Sequence, residues 1–155
     1  MTGASRQYAF DVSEHFFRLT TESVRIRSNE TRKYQTLGTL VNARTACAHC
    51  LEHDPAVLRS HLDKIPTKGD IRIYLRVKAS SADSLSEAQE MLAKRLGVSL
   101  SLGDTLSVLL FDYIVEQKAL EVLGKLKEAG LDEPSAKRGE LNANESQEGN
   151  VIRLN

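Results

Sequence analysis

Ile71-Arg72-Ile73-Tyr74-Leu75-Arg76-Val77-Lys78 alternates at every position. Ile71, Ile73, Leu75 and Val77 are aliphatic; Arg72, Tyr74, Arg76 and Lys78 are polar, and three of them are cations. A period of two with β-branched residues predicts a strand that buries one face and exposes the other. The patterns that follow are helical, so the strand finds no partner in its own neighbourhood. A lone strand leaves a row of N–H and C=O groups unpaired, which is costly unless something covers them. The simplest partner is the same strand of a second copy, paired antiparallel about a two-fold axis. The expected fold is therefore mainly α, a dimer joined by one intermolecular strand pair.

Downstream, Ala79-Ser80-Ser81-Ala82-Asp83 reads as a polar linker. Leu85, Ala88, Leu92 and Leu96 then form the apolar stripe of a helix that Gly97 terminates. Ser101 and Asp104 have capping-box spacing and open a second helix carrying Leu106, Leu109, Leu110, Tyr113, Ile114, Leu120 and Leu123. That helix is apolar around much of its girth and needs a partner to cover it. Past Gly130 the chain is polar and acidic, and 131–155 is expected to lack fixed structure, although Val151-Ile152-Arg153-Leu154 has the composition of a docking segment.

Upstream, Thr67-Lys68-Gly69-Asp70 is a turn into the strand. Residues 1–8 read as a loose arm. Asp11 to Glu14 has capping spacing, with Phe10 as a staple, and Val12, Phe16, Leu19 and Val24 recur at helical intervals. A second helix is expected from Asn29 to about His53, with Leu37, Leu40, Cys47 and Leu51 on one stripe. A third begins at Asp54-Pro55 and ends at Pro66. The resulting division is a helical N-terminal extension (1–66), a strand-helix-helix domain (67–130) and a polar tail (131–155). No internal repeat stands out.

The 155 residues have a formal net charge of zero, which by itself argues against a generic polyanion binder, but the charge is unevenly placed. Residues 1–100 hold 15 Lys and Arg against 11 Asp and Glu, and the remainder 6 against 10. From Lys64 to Lys78 there are five cations and one acid, Asp70. Local positive charge around the alternating stretch is the footprint of a nucleic-acid partner. Cations on such a face also serve simply to keep an edge strand from aggregating, but three cations with no acid favour the first reading. No apolar run approaches a membrane span of roughly 18 residues. Two cysteines without a secretory signal lead us to expect a cytoplasmic protein with no membrane partner.

Cys47-Ala48-His49-Cys50, with His53 and His61, has the ligand types and spacing of a zinc site. The same residues fit a helical core with small buried thiols, and a redox dithiol lacks its usual βαβ setting. We expect neither metal nor cofactor. Ser, His and Asp occur without any ordering motif, so no enzyme is expected.

Strand, helix, glycine-containing turn and helix, with Leu92-Ala-Lys-Arg-Leu-Gly-Val-Ser99 as the closest local match, resembles the ribbon-helix-helix superfamily of methionine-repressor and Arc-repressor type over residues 70–124. The resemblance implies a cytoplasmic homodimer, or a dimer of dimers, on a double-stranded DNA operator. It implies Arg72, Tyr74 and Arg76 as base readers, and DNA-backbone contacts from Lys68, Lys78, Ser99 and Ser101. The helical extension and polar tail are similar to the larger transfer-gene regulators of conjugative plasmids. Alternatives are an antitoxin or relaxosome accessory protein and, in another class, a protein-interaction or zinc-binding helical module. Against the family pattern, five residues intervene between strand and helix, and the inter-helix turn is longer.

Overall fold

The partner of the alternating strand comes from the chain's own N-terminus. The computed structural model describes residues 3–46 and 53–130, and β1 (Ser5–Val12) pairs antiparallel with β2 (Ile71–Lys78) from Ser5 opposite Lys78 to Val12 opposite Ile71. The ladder is prolonged at both ends, where Ala79 N donates to Ala4 O at 2.9 Å and Ser13 N to Thr67 O at 2.9 Å. This corrects two expectations. Residues 1–8 are not a loose arm, and the strand pair is formed within one chain, so a second copy is not needed to complete it.

The reason lies in side chains that read as a helix start. Phe10 and Val12 point inward beside Ile73, Leu75 and Val77, and Asp11 points outward onto Arg72 instead of capping. The N-cap is Ser13, whose Oγ accepts from Phe16 N at 3.0 Å. The first helix, α1 (Glu14–Thr31), ends at Arg32 in the left-handed conformation, so it does not restart at Asn29. Thr36 then caps α2 (Leu37–Thr45). The expected helix from 29 to 53 is thus broken at residues 32–36; its Cys47, Cys50 and Leu51 lie outside the described residues. As expected, Asp54 and Pro55 open α3 (Pro55–Lys64). After β2 the chain enters α4 (Ala79–Leu96) directly, so the supposed linker 79–83 is helix, with Ser81 and Ala82 buried. Gly97 terminates α4 in the left-handed conformation, and α5 runs Leu102–Glu128.

Contrary to expectation, the chain carries one strand-helix-helix unit twice. Glu14 and Ala79 begin the first helices, Arg32 and Gly97 are their left-handed caps, and Leu37 and Leu102 begin the second helices, each landmark recurring 65 residues on. The buried positions recur with the same displacement: Thr20 with Leu85, Ser23 with Ala88, Gly38 with Gly103, Leu40 with Thr105, Val41 with Leu106, and Thr45 with Leu110. Because the two strands run antiparallel, like units face each other about an approximate two-fold axis through the Ala9–Tyr74 pair.

Residues up to Gln117 form one compact unit, and the sheet crosses the boundary expected between 66 and 67. Its core has two parts. Val12, Phe16, Leu40, Val41, Leu75, Val77, Leu106, Leu110 and Tyr113 pack together beneath the sheet. Leu58 from α3 joins Leu85, Ala88, Leu92, Leu96, Val108 and Leu109 from α4 and α5. The last turns of α5, from Lys118, belong to a second unit. They expose Leu120, Val122 and Leu123 and pair Glu121 with Lys125 at 3.5 Å. No described helix is long and apolar enough to cross a membrane.

Gly38 sets the distance between α2 and the ribbon. A Cβ there would lie 2.1 Å from the Arg76 carbonyl oxygen, inside any van der Waals contact. Gly38→Ala is expected to push the helix off the strand at a cost of at least about 1–3 kcal/mol, the usual range for overpacking. The control Gly124→Ala, where the added carbon meets nothing, should not destabilise. Urea midpoints of the two variants make the comparison.

Candidate nucleic-acid interface

The outward face of the ribbon gathers the residues singled out from sequence. Alternation in β2 puts Arg72, Tyr74, Arg76 and Lys78 on the side away from the core, and antiparallel pairing sets Asp11, Ala9, Gln7 and Ser5 opposite them. Successive outward side chains along a strand stand about 6.5–7 Å apart. Tyr74 is 63% exposed opposite the small Ala9, and its side chain interacts with that of Arg72 on the same face.

The arginines differ. Arg72 donates from Nε and Nη2 to the two carboxylate oxygens of Asp11, the second contact at 3.1 Å. The guanidinium holds the Asp11 carboxyl below its usual value, and the carboxylate raises Arg72 in turn. Arg76 makes one weaker contact, from Nη2 to Gln7 Oε1 at 3.2 Å. One end of the face is therefore an internally neutralised pair. The other, with Arg76 and Lys78, keeps its positive charge.

The expected backbone contacts divide between two places. Lys68 is exposed beside the bridge to Val12, and Lys78 lies at the far end of β2, so the lysines flank the ribbon. Ser101 is engaged in the capping box of α5: its Oγ accepts from Asp104 N at 3.0 Å while Asp104 Oδ2 accepts from Ser101 N at 3.1 Å. Thr67 Oγ1 also donates to Asp104, at 2.8 Å. An anion approaching that helix start would meet a carboxylate. Ser99 is exposed in the turn ahead of it.

Sequence reasoning missed the equivalent start of α2. Thr36 Oγ1 accepts from Thr39 N at 3.1 Å and Thr39 Oγ1 accepts from Thr36 N at 3.0 Å, a capping box with no acid in its first turn. Thr36, Gly38 and Asn42 line a groove of about 510 Å³ together with Gln7, Arg76 and Lys78. Asn42 Oδ1 accepts from Lys78 N at 3.1 Å, tying α2 to the strand. The available signal was Thr36-Leu37-Gly38 beside Ser101-Leu102-Gly103.

Of the metal candidates, Cys47 and Cys50 lie outside the described residues. His53 Nε2 is 2.7 Å from Asp112 Oδ1, and Arg44 donates to the same carboxylate at 2.8 Å. His61 is buried, stacks on Phe111 with ring centroids 4.3 Å apart, and has Nε2 2.8 Å from Ser107 Oγ. Among the described residues no three His, Cys, Asp or Glu side chains converge as metal ligands.

Burial holds the His61 imidazole below its ordinary value. A depressed folded-state pKa means that the unfolded chain takes up the proton first. Stability is then full above about pH 6.5 and falls as pH drops through the folded value. Urea unfolding between pH 8 and 5 should show this loss. His61→Gln should flatten the slope, and an unchanged slope would remove His61 as its source.

With this geometry in hand, comparison with family models, curated proteins and solved structures yields no match.

Proposed function

We propose that this chain binds double-stranded DNA, laying its two-stranded ribbon into the major groove as a transcription regulator of the ribbon-helix-helix kind. One observation carries the reading: an exposed antiparallel ribbon whose outward face presents Arg72, Tyr74, Arg76 and Lys78 against a single acid, Asp11. The major groove, about 12 Å wide, admits a two-stranded ribbon, and base edges there display acceptors that an arginine fork bonds two at a time.

In this reading Arg76 and Arg72 address guanine edges. Tyr74 lies between them, against a thymine methyl or an acceptor. Lys68 and Lys78 take phosphates on either side and fix the register. The acid-free start of α2 offers its amide dipoles beside Lys78, a better phosphate neighbour than the start of α5 with Asp104. Since one chain supplies both strands, additional copies would occupy neighbouring sites on repeated operators.

Titration of a fluorescent duplex pool with the full chain tests the reading. Affinity should fall steeply with salt, log K against log salt having a slope of about −0.9 for each phosphate contacted. Absence of binding at low salt, or affinity indifferent to salt, would overturn it.

A further inference from the structure

We infer that the ribbon reads a non-palindromic duplex element in one fixed polarity, and that Asp11 sets the base preference at one end of it. The inference rests on the DNA reading above and goes beyond it by naming the class of site. A ribbon made from two copies of one strand must present identical outward residues at its two ends, and it matches a site with a dyad. This ribbon has the same approximate two-fold axis but unlike residues across it. The axis pairs Gln7 with Arg72, Ala9 with Tyr74, and Asp11 with Arg76.

The ends therefore differ in chemistry. At one, Asp11 and Arg72 combine an acceptor with a donor fork, their charges cancelling in a two-point contact. A carboxylate in the groove accepts from the cytosine amino group, whereas the guanidinium donates to guanine. At the other, Arg76 and Gln7 present a donor fork and an amide, with Lys78 and Ser5 at the next pair. That combination suits purine edges, guanine for the fork and adenine for the amide. In the centre Tyr74 has no counterpart, because Ala9 stands opposite. No dyad-symmetric sequence satisfies both ends, so one orientation of chain on duplex is favoured.

Selection from a randomised duplex pool with the full chain tests this, with stoichiometry on the winning duplex measured by sedimentation. The expected result is a consensus without a dyad, bound by one chain per element. Asp11→Asn should relax the preference at one edge of that consensus by roughly 5- to 150-fold and leave the other edge unchanged. Asp11 is exposed and the substitution conserves its shape, so circular dichroism should match the parent. The triple variant Gln7→Arg, Ala9→Tyr and Asp11→Arg makes the two ends alike and should shift the consensus towards a dyad. A dyad-symmetric consensus for the parent chain would overturn the inference and leave the DNA reading standing. Binding of the pool without enrichment of any sequence would likewise overturn the inference, whereas failure to retain any duplex at low salt would overturn both.

Discussion

Deleting residues 1–12 is expected to abolish the cooperative fold. The deletion removes one of the two strands of the sheet, and with it the strand that lies opposite every residue of β2 and takes its ladder hydrogen bonds. It also removes Val12, which is fully buried, and the packing of Phe10 and Tyr8 against the core beneath the sheet. Fully burying an aliphatic side chain such as Val12 contributes roughly 1.5–3 kcal/mol, and the half-buried Phe10 and Tyr8 and the lost strand ladder add to it, against the roughly 5–15 kcal/mol that separates a typical folded domain from its unfolded state. The exposed edge of β2 would add a tendency to associate. Val12→Asp should do much of the same damage with the strand present, by placing a carboxylate in a dry site. Circular dichroism melts and urea titrations read both. A truncated chain that melts cooperatively at the parental midpoint would show that the N-terminal strand is dispensable, as a loose arm would be.

That result would also measure where sequence reasoning stops. The strand at 71–78 was legible because its alternation is uninterrupted and its inward residues are all aliphatic. Ser5–Val12 has the same periodicity, but Arg6 stands at an inward position and Ala9 at an outward one. Phe10 and Asp11 also imitate the staple and cap of a helix start. The duplication was hidden for a related reason. The inward stripe of α4 is Leu85, Ala88, Leu92 and Leu96, whereas the matching positions of α1 are Thr20, Ser23, Arg27 and Thr31. Small hydroxylated residues can be buried there because they satisfy themselves on the preceding turn: Thr20 donates to the Phe17 carbonyl at 2.6 Å and Ser23 to that of Leu19 at 2.8 Å. Hydrophobic periodicity does not register such a stripe.

The second half gave more reliable signals because they were stereochemical. Gly97 was predicted as a helix terminator and adopts φ 69°; the Ser101–Asp104 capping box forms as its spacing predicts. Arg32 does the work of Gly97 in the first half without being glycine, so no residue type announced it. The outward face of β2 was legible residue by residue. What pairing adds is the content of the opposite strand, and hence the inequality of the two arginines.

That inequality directs the second large effect. Arg76→Ala is expected to lower affinity for the preferred duplex by roughly 5- to 150-fold, the equivalent of losing one two-point contact with guanine worth about 1–3 kcal/mol. Discrimination at that base step should disappear with it. Little opposes transfer of Arg76 to DNA, since it gives up only a 3.2 Å contact with an amide. Arg72→Ala should cost less, because in the free protein its guanidinium already has the Asp11 carboxylate and must share it or leave it on binding. Lys78→Ala should weaken all duplexes alike and reduce the salt slope by about 0.9, as befits a phosphate contact. None of these side chains is buried, and Tyr74→Ala likewise should leave the urea midpoint near that of the parent. Anisotropy titrations of the four variants on preferred and scrambled duplexes separate the roles. Equal losses on both duplexes for Arg76→Ala would reduce that arginine to a general electrostatic contact and remove it as a base reader.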